Sequence, residues 1–553
     1  MAQPELNDRA QGWLRHLWRK ATTDDDWSPD GQPEAWWDQY STPPMLSFPR
    51  FDLSESSYGL ALMSDVTPAW REVYTRILDE LVSRHRTYWA AVDWLTQIGP
   101  DPKRKDYPDA YRPLIPAHLW GEYDVPGWTA NGVEPWGLQP DPIGSDGNLF
   151  FRGFFNLLLS TYAYVSGDQK WQEPFQVAGV DRSSHEWTHA CIAEFISQQW
   201  SERPEGPNCE NTKIWPYCLT AAGLGLHLFD RVYDTAHHDV FDEWTEYAKK
   251  NYMTFTADGR LETMVLYYDP IIDHKHGRSQ AGGLGVAFYM LPQNRQLAEV
   301  LYEAGIEALG WRNEDVAIGG DPRTPALVHT LARELGDSVV EQRLREYSEA
   351  AFEPRAFGEA GEFGYWFNLG EDHPRGQLSA LAMCADIGEP GAWWRVFNES
   401  NRSRFDEPTL VGVDYPSVAI SRAWNDSERG VLHVTCHAGS SSVRGTTTRF
   451  RVEQLADTGG VQVRCDGESF EHWRPIDGQT IEIEIDVDDH TFEIKTSQRS
   501  ARRESETQRR VFTSQEPGLV SSAAALAGSR GAVRAAQQTV LSGGGTCPCC
   551  VGL

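Results

Sequence analysis

The sequence predicts a mainly α-helical protein: a helical barrel or toroid, then a small antiparallel β domain and a flexible C-terminal tail. Up to about residue 395, apolar residues recur at helical spacing, for example in 295–309 and 324–347, and Pro- or Gly-rich connections separate the segments. From about 410 to 500 apolar and polar residues alternate. We therefore expect three units, at residues 1–395, 410–500 and 501–553.

The helical unit is predicted from several further segments with the same spacing, at 69–95, 156–165, 222–233 and 240–252. Long loops separate them, and strand signals are few. Successive helices with long connections on one side predict a closed ring of helices. The segment 273–276, which carries His274 and His276, is expected to be a solvated loop.

The β unit is clearest at 481–487, where the sequence IEIEIDV has a strict two-residue repeat. After residue 500 the chain is rich in Ser, Ala, Gly, Arg and Gln, which is typical of a loose tail. Cys547, Cys549 and Cys550 lie in that tail. Three thiolates make a poor zinc site alone, so we predict no bound metal there.

The charge balance excludes some partners. The chain has 553 residues, with 50 Lys and Arg against 80 Asp and Glu, and a net charge of −30. Nucleic acid and anionic membranes are bound through cationic side chains, so neither partner is expected. Nine cysteines argue against a disulfide scaffold. Without a signal-peptide core or roughly 20 consecutive apolar residues, the expected location is the cytoplasm.

Aromatic residues are abundant, at 12% of the chain. They are accounted for either by a core of large side chains or by an aromatic-lined pocket for an apolar or carbocation-like substrate, because ring faces stabilise positive charge. Composition alone leaves both interpretations open.

An ordered set of short motifs carries a resemblance to a known family. Two cysteines with the spacing C-x8-C, Cys209 and Cys218, stand in the middle of this set. The other members are Trp120-Gly121-Glu122-Tyr123, Asp141-Pro142-Ile143, Arg152-Gly153 leading to Asn156-Leu157, Phe229-Asp230-Arg231, and Leu331-Ala332-Arg333-Glu334. Over roughly residues 20–395 the sequence resembles the linalool dehydratase/isomerase family.

The resemblance implies an (α/α)6 barrel, a homo-oligomer, and dehydration or isomerisation of an apolar, isoprenoid allylic alcohol without a cofactor. Matched position by position, it implies that Cys209, Cys218 and Glu210 are catalytic, with an acid among Asp24, Asp25 and Asp26. The substrate is expected to contact six aromatic side chains: Phe51, Phe151, Phe154, Trp215, Tyr217 and Tyr268.

The sequence departs from the family pattern at its catalytic histidine, where it has Phe154. Phe51 replaces a tyrosine, and another tyrosine aligns near Gly282. Losing an imidazole and two phenols removes groups that transfer protons, and elimination of water still requires an acid and a base. We therefore expect a carboxyl group with a raised pKa to act as the acid. A cysteine or second carboxylate would be the base.

Three alternatives remain open on sequence grounds. His185-Glu186-Trp187-Thr188-His189 is a literal H-E-x-x-H, which on a helix would bind zinc, although the third histidine of the extended motif is replaced by Phe195. A carbohydrate-active barrel would use paired carboxylates, here Glu122, Asp141 and Glu210. A non-enzymatic ligand-binding scaffold would have no polar groups converging in the barrel.

Overall fold

The structure is a computed structural model that describes residues 4–28, 31–38, 49–89, 141–145, 147–179, 183–209, 213–270 and 273–496. Three predictions fall outside these residues: the roles of Glu122 and Glu210, and the tail at 501–553 with Cys547, Cys549 and Cys550.

In the helical unit, helices that form an inner ring alternate with helices that pack outside it. In chain order, the α-helices of the described residues are α1 (Asp8–Thr22), α2 (Pro49–Val66), α3 (Glu72–Arg84), α4 (Leu149–Ser166), α5 (His189–Ser201), α6 (Pro216–Tyr233), α7 (Asp239–Asn251), α8 (Gly283–Met290), α9 (Arg295–Leu309), α10 (Arg323–Leu335), α11 (Ser338–Ala351), α12 (Gly376–Asp386) and α13 (Ala392–Asn398).

The even-numbered helices α2 to α12 form a closed ring in which each contacts the next and α12 contacts α2. Ring helices are buried on nearly every side; α4, for example, is buried from Leu149 to Val165. A helix that is apolar all round belongs in an interior. Of the intervening helices, α3 packs on α4, α5 on α4 and α6, α9 on α8, and α11 on α10, and these helices keep an exposed face. The expected helical barrel is confirmed to this extent.

The segment 324–347, predicted to be helical from its spacing, forms two helices. Gly336 ends α10 in the left-handed region at a φ of 76°, which glycine adopts without strain. The side chain of Asp337 then accepts a hydrogen bond from the Val340 N–H at 3.2 Å and caps α11. Helical spacing continues across this break because α10 is buried along its length and α11 buries one face.

Small antiparallel sheets interrupt the helices more often than the sequence predicts. They comprise β1 (Phe175–Ala178) with β2 (Ser184–Trp187), β3 (Met253–Phe255) with β4 (Leu261–Asp269) and β5 (His274–Ser279), and β6 (Pro354–Phe357) with β7 (Glu362–Tyr365). The loop expected at 273–276 is therefore wrong. Its histidines lie on β5, where Lys275 pairs with Tyr268 of β4.

The β unit consists of two antiparallel sheets. Its strands are β8 (Thr409–Val411), β9 (Val418–Asp426), β10 (Val431–Ala438), β11 (Thr447–Glu453), β12 (Gln462–Cys465), β13 (Glu468–Ser469), β14 (Trp473–Pro475), β15 (Ile481–Asp486) and β16 (His490–Lys495). The sheet orders are β13-β12-β16-β10-β9 and β14-β15-β11-β8. The strict alternation on β15 buries Ile481, Ile483 and Ile485 and leaves Glu482 and Glu484, which lie between them, outside the core.

Candidate functional site

The first half of α2 brings acidic and aromatic side chains into the interior of the ring. Phe51, Asp52, Glu55 and Tyr58 are all buried there. Their spacing of three and four residues keeps them on neighbouring positions of the helix surface. Burying a carboxyl group is costly unless it is paired or neutral. The two buried acids of this helix, Asp52 and Glu55, meet that condition in different ways.

Glu55 lies among three tyrosine hydroxyls. The Tyr289 hydroxyl donates to Glu55 Oε1 at 3.3 Å, and the hydroxyls of Tyr58 and Tyr217 each lie 3.3 Å from the Tyr289 oxygen. Glu55 Oε2 is buried and has no hydrogen-bond partner within the described residues. This oxygen therefore keeps an unused hydrogen-bonding position.

Burial raises the pKa of the Glu55 carboxyl to about 8. The Tyr289 hydroxyl, the nearby Gln377 amide and the charge of Arg323 act in the opposite direction but do not offset the loss of water. At neutral pH the group is therefore mostly protonated. A protonated carboxylic acid in an aromatic interior is a proton donor.

Asp52 is paired instead of neutral. Lys20 Nζ of α1 lies 2.9 and 2.8 Å from its two carboxylate oxygens, and both side chains are buried. Burial still outweighs the ion pair and raises the pKa of Asp52 to about 6. A side chain at Gly376 would overlap the Asp52 carboxylate, so glycine is required where α12 begins.

Asp38 joins this group at the start of α12. Its carboxylate accepts the N–H groups of Gly376 and Gln377 at 2.6 and 2.9 Å, and its own N–H donates to Asp52 at 2.9 Å. Free N–H groups at a helix start favour negative charge. Asp38 and Asp52 thereby fix α12, including Gln377, beside Glu55.

Aromatic rings cluster around Tyr289, the hydrogen-bond partner of Glu55. The Phe154 ring of α4 lies edge-on to Phe51 at 5.2 Å and to Tyr289 at 5.9 Å. Tyr217 lies edge-on to Tyr289 at 5.2 Å. Three residues that the sequence proposes as substrate contacts, Phe51, Phe154 and Tyr217, are thus in one cluster with Glu55.

Cys209 and Cys218 are both buried near helix starts. Cys209 follows Asn208, whose carbonyl accepts the N–H of Leu149 at the start of α4. Cys218 lies in the first turn of α6, next to Tyr217. Cys209 therefore lies in a loop at the start of α4, and Cys218 and Tyr217 lie on α6, the neighbour of α4 in the ring.

Three other predicted contacts lie in different surroundings. Phe151 packs on His85 with ring centres 4.7 Å apart. Trp215 lies 4.5 Å from the Tyr267 ring. The Tyr268 hydroxyl donates to Asp273 at 3.0 Å.

The acidic run at 24–26 has partners of its own. Asp25 binds Arg84 at 3.1 Å and accepts the Trp37 indole N–H at 3.0 Å. The Trp37 ring in turn lies 4.2 Å from Lys20 Nζ, which places Asp25 one side chain away from the Lys20–Asp52 pair. Asp24 is exposed, and Asp26 accepts the Ser28 N–H in a turn.

The H-E-x-x-H motif does not form a helical zinc pair. His185 lies on β2, whereas His189 is the first residue of α5. His185 contacts Ser183 at 2.7 Å, and His189 contacts Ser160 at 3.2 Å. The strand separates two histidines that a continuous helix would place on one face.

Sequence reasoning missed Glu55, Tyr58, Tyr289 and the Lys20–Asp52 pair. A signal was present, since Asp52, Glu55 and Tyr58 recur at helical spacing in a segment whose other residues are mostly small or apolar. The segment also begins close to Phe51, which the family comparison had singled out.

Comparison with known proteins supports the resemblance over part of the chain. The family model of linalool dehydratase/isomerase matches residues 120–365, and the suspected family is confirmed over that segment. It includes Phe154, Cys209, Cys218, Tyr217 and Tyr289, whereas α2 with Glu55 lies before it.

Several solved structures are distantly similar. A GH76 alpha-mannanase from Bacteroides thetaiotaomicron is 9% identical over 72% of this chain and 96% of its own, with a TM-score of 0.36. An unsaturated glucuronyl hydrolase specific for heparin is 11% identical over 68% and 95%, with a TM-score of 0.38. An endoglucanase from Clostridium thermocellum, complexed with cellotriose, is 12% identical over 89% and 93%, with a TM-score of 0.32. At these scores neither the reaction nor the substrate of those enzymes transfers to this chain.

Proposed function

We propose that this protein, whose residues 120–365 match the linalool dehydratase/isomerase family, is a lyase or isomerase with an (α/α)6-type barrel. Its substrate is a small apolar allylic alcohol of the isoprenoid class, and the reaction uses acid–base chemistry of side chains. The observation that carries this proposal is the buried Glu55 carboxyl, with its pKa raised to about 8, bonded to Tyr289 in a cluster of aromatic rings.

Glu55 is the proposed acid. Its proton passes to the hydroxyl of the substrate, the C–O bond breaks, and water leaves with the electron pair of that bond. A base then removes a proton from the neighbouring carbon, and the C=C bond forms. A positioned general acid contributes roughly 10²- to 10⁴-fold to such a step. This assignment fills the role left vacant by Phe154 with a carboxyl group, although not with one from residues 24–26.

The proposed bases are Cys209 and Cys218. The family match supports this role, because the C-x8-C pair lies inside the matched segment. A thiolate is a competent base or transient nucleophile. Glu210 and an acid among Asp24, Asp25 and Asp26 remain part of the proposal as groups that influence the site, and Asp25 has the shortest route to it through Trp37.

The surroundings of Glu55 favour an apolar alcohol over a sugar. Phe51, Phe154, Tyr58, Tyr217 and Tyr289 supply ring surfaces, and ring faces stabilise a developing allylic cation. A sugar requires many polar contacts. The carboxylate that the carbohydrate alternative would use within the described residues, Asp141, is already bound by the Trp187 indole at 3.1 Å.

The test is an assay of the purified full-length protein on short and long allylic alcohols and on oligosaccharides, with product detection by gas chromatography. We expect alkenol dehydration or isomerisation by the wild type, and a loss of roughly 10²-fold or more in Glu55→Gln. Cys209→Ser and Cys218→Ser should also lose turnover. Glu389→Gln, an exposed glutamate, serves as the matched control.

Two results would contradict the proposal. Undiminished turnover in Glu55→Gln would remove the acid from its assigned role. Cleavage of oligosaccharides by a wild type that leaves every alkenol unchanged would favour the carbohydrate alternative.

A further inference from the structure

A group of three different metal-ligating side chains lies at one end of the five-stranded sheet of the β unit. Cys465 ends β12, Asp466 follows it in the turn to β13, and His490 begins β16. One donor atom from each, a sulfur, a carboxylate oxygen and a ring nitrogen, lies within 4.8 Å of the other two. The proposed dehydratase site uses none of them.

The three atoms converge on one point rather than forming a relay. His490 Nδ1 lies 2.8 Å from Asp466 Oδ2 and 3.6 Å from Cys465 Sγ. In a nucleophilic triad the two ring nitrogens of the histidine face different partners. Here a single nitrogen faces both, which is the arrangement of ligands around a common ion.

Asp466 is held in place for this role by the backbone. Its N–H donates to the Thr491 carbonyl at 2.8 Å, and its Oδ1 accepts the Thr491 N–H at 2.9 Å. Its φ of 52° turns the chain back towards β16. With Oδ1 occupied, Oδ2 is directed at the sulfur and the nitrogen. Such support orients a ligand before the metal arrives.

A second thiol lies beside the group. Cys436 of β10 pairs directly with His490 of β16, and residues paired across adjacent strands share a face of the sheet. Cys465 pairs with Phe492, two residues beyond His490 on β16 and so on that same face. Cys436 is buried, whereas Cys465 and His490 are partly accessible, so an ion can enter from solvent.

We propose that Cys465, Asp466 and His490 bind a zinc ion, with Cys436 or water in the fourth position. Zinc takes thiolate, imidazole and carboxylate ligands together in a tetrahedral arrangement, whereas magnesium and calcium prefer oxygen ligands. The ion would fasten the β12–β13 turn to β16. This site does not depend on the proposed reaction, so either can fail alone.

The experiment uses metal-free full-length protein titrated with zinc chloride, and in parallel with cobalt chloride as a coloured substitute. We expect wild type to bind an equivalent of metal with a thiolate-to-cobalt charge-transfer band, and Cys465→Ser and His490→Asn to lose that equivalent and the band. Asp466→Asn, an isosteric change at an exposed side chain, should weaken binding while the circular dichroism spectrum stays unchanged. Zinc should raise the Tm of wild type and leave that of Cys465→Ser unaffected.

Two cysteine controls separate this site from other thiols. Cys191→Ser removes an exposed thiol of α5, and Cys547→Ser removes one from the C-terminal tail; both should bind metal as wild type does. Metal binding by Cys465→Ser and Asp466→Asn equal to that of wild type would overturn the proposal. Loss of the equivalent in Cys547→Ser alone would overturn it as well.

Discussion

Tyr289 Oη lies 3.3 Å from Glu55 Oε1 and donates a hydrogen bond to it. A phenol has one proton to donate, so Tyr289 accepts from Tyr58 and Tyr217, whose hydroxyls lie 3.3 Å away. The residues stand on three ring helices, α2, α6 and α8. Their hydroxyls form a continuous hydrogen-bonded path that ends at the one carboxyl group with a strongly raised pKa on this path.

The rate of the proposed reaction should fall at alkaline pH. Glu55 acts as an acid only while it is protonated, and burial raises its pKa to about 8. We therefore expect kcat/KM to decline above that pH with the slope of one proton. A pH–rate profile checks this, and a rate that rises steadily through the alkaline range would contradict the role of Glu55.

Tyr289→Phe should shift the alkaline decline of kcat/KM to higher pH. The Tyr289 hydroxyl stabilises the ionised carboxylate, so its removal raises the pKa of Glu55 further. A hydrogen bond to a charged group contributes roughly 1.5–3 kcal/mol, which corresponds to about one or two pH units. Turnover should also fall because the hydroxyl path is broken. The control is Tyr302→Phe, which removes another buried hydroxyl, one bound to Asp337 at 3.1 Å. It should leave the pH at which kcat/KM declines unchanged.

Glu55→Gln should flatten the pH dependence of stability. The pKa of Glu55 rises from 4.5 to about 8 on folding. The folded chain therefore holds a proton that the unfolded chain releases between these values. Its stabilising effect is complete below the unfolded pKa and is lost as pH rises through the folded pKa. The free energy of unfolding of wild type should fall by roughly 3 kcal/mol between about pH 6 and about pH 9 through this group.

Urea unfolding of both proteins at the two pH values measures this difference. In Glu389→Gln the free energy of unfolding should change with pH as it does in wild type. If the free energy of unfolding of Glu55→Gln fell with pH as steeply as that of wild type, the Glu55 carboxyl would have an ordinary pKa in the folded protein.

The buried ion pair should contribute far more to stability than an exposed one. Lys20→Met leaves Asp52 without its cation in the interior, which costs about 3–5 kcal/mol. Lys170→Met removes a similar contact to Asp79, 2.7 Å long, but at the surface, where such pairs contribute about 1 kcal/mol or less. Lys20→Met/Asp52→Asn should recover part of the loss. Urea unfolding measures all of these changes, and equal losses for the two lysine variants would contradict the pairing.

The sequence predicts the architecture better than the site because burial patterns are local. Helical spacing gives α9 at Arg295–Leu309, as observed, and strict alternation gives β15. These patterns arise from one face of each element meeting the core. They do not distinguish a break such as Gly336, since the buried face resumes after it.

The polar site depends on contacts between distant parts of the chain. Lys20 and Asp52 are 32 residues apart, and Glu55 and Tyr289 are 234 apart. Taken alone, Lys20, Asp52 and Glu55 each have the chemistry of an ordinary surface residue. Phe51, Phe154 and Tyr217 could be proposed only because the family pattern marks their positions. Glu55 lies outside the matched segment, and the family pattern does not indicate its position.

Phe154→Leu should lower kcat more than it raises KM. Leucine retains apolar bulk but has no ring face, and a ring face stabilises a developing cation by about 0.5–2 kcal/mol, equivalent to roughly 2- to 30-fold in rate. The matched control is Phe155→Leu on the same helix. Phe155 is equally buried but stacks on His85 at 4.9 Å, away from the Phe51 and Tyr289 rings that Phe154 contacts. Both substitutions should cost similar stability, because both remove a buried ring. Steady-state kinetics on the best alkenol then separates the two roles. A fall in kcat confined to Phe154→Leu would support a role of the Phe154 ring in stabilising the cation. Equal effects of both variants would mean that Phe154 contributes only packing.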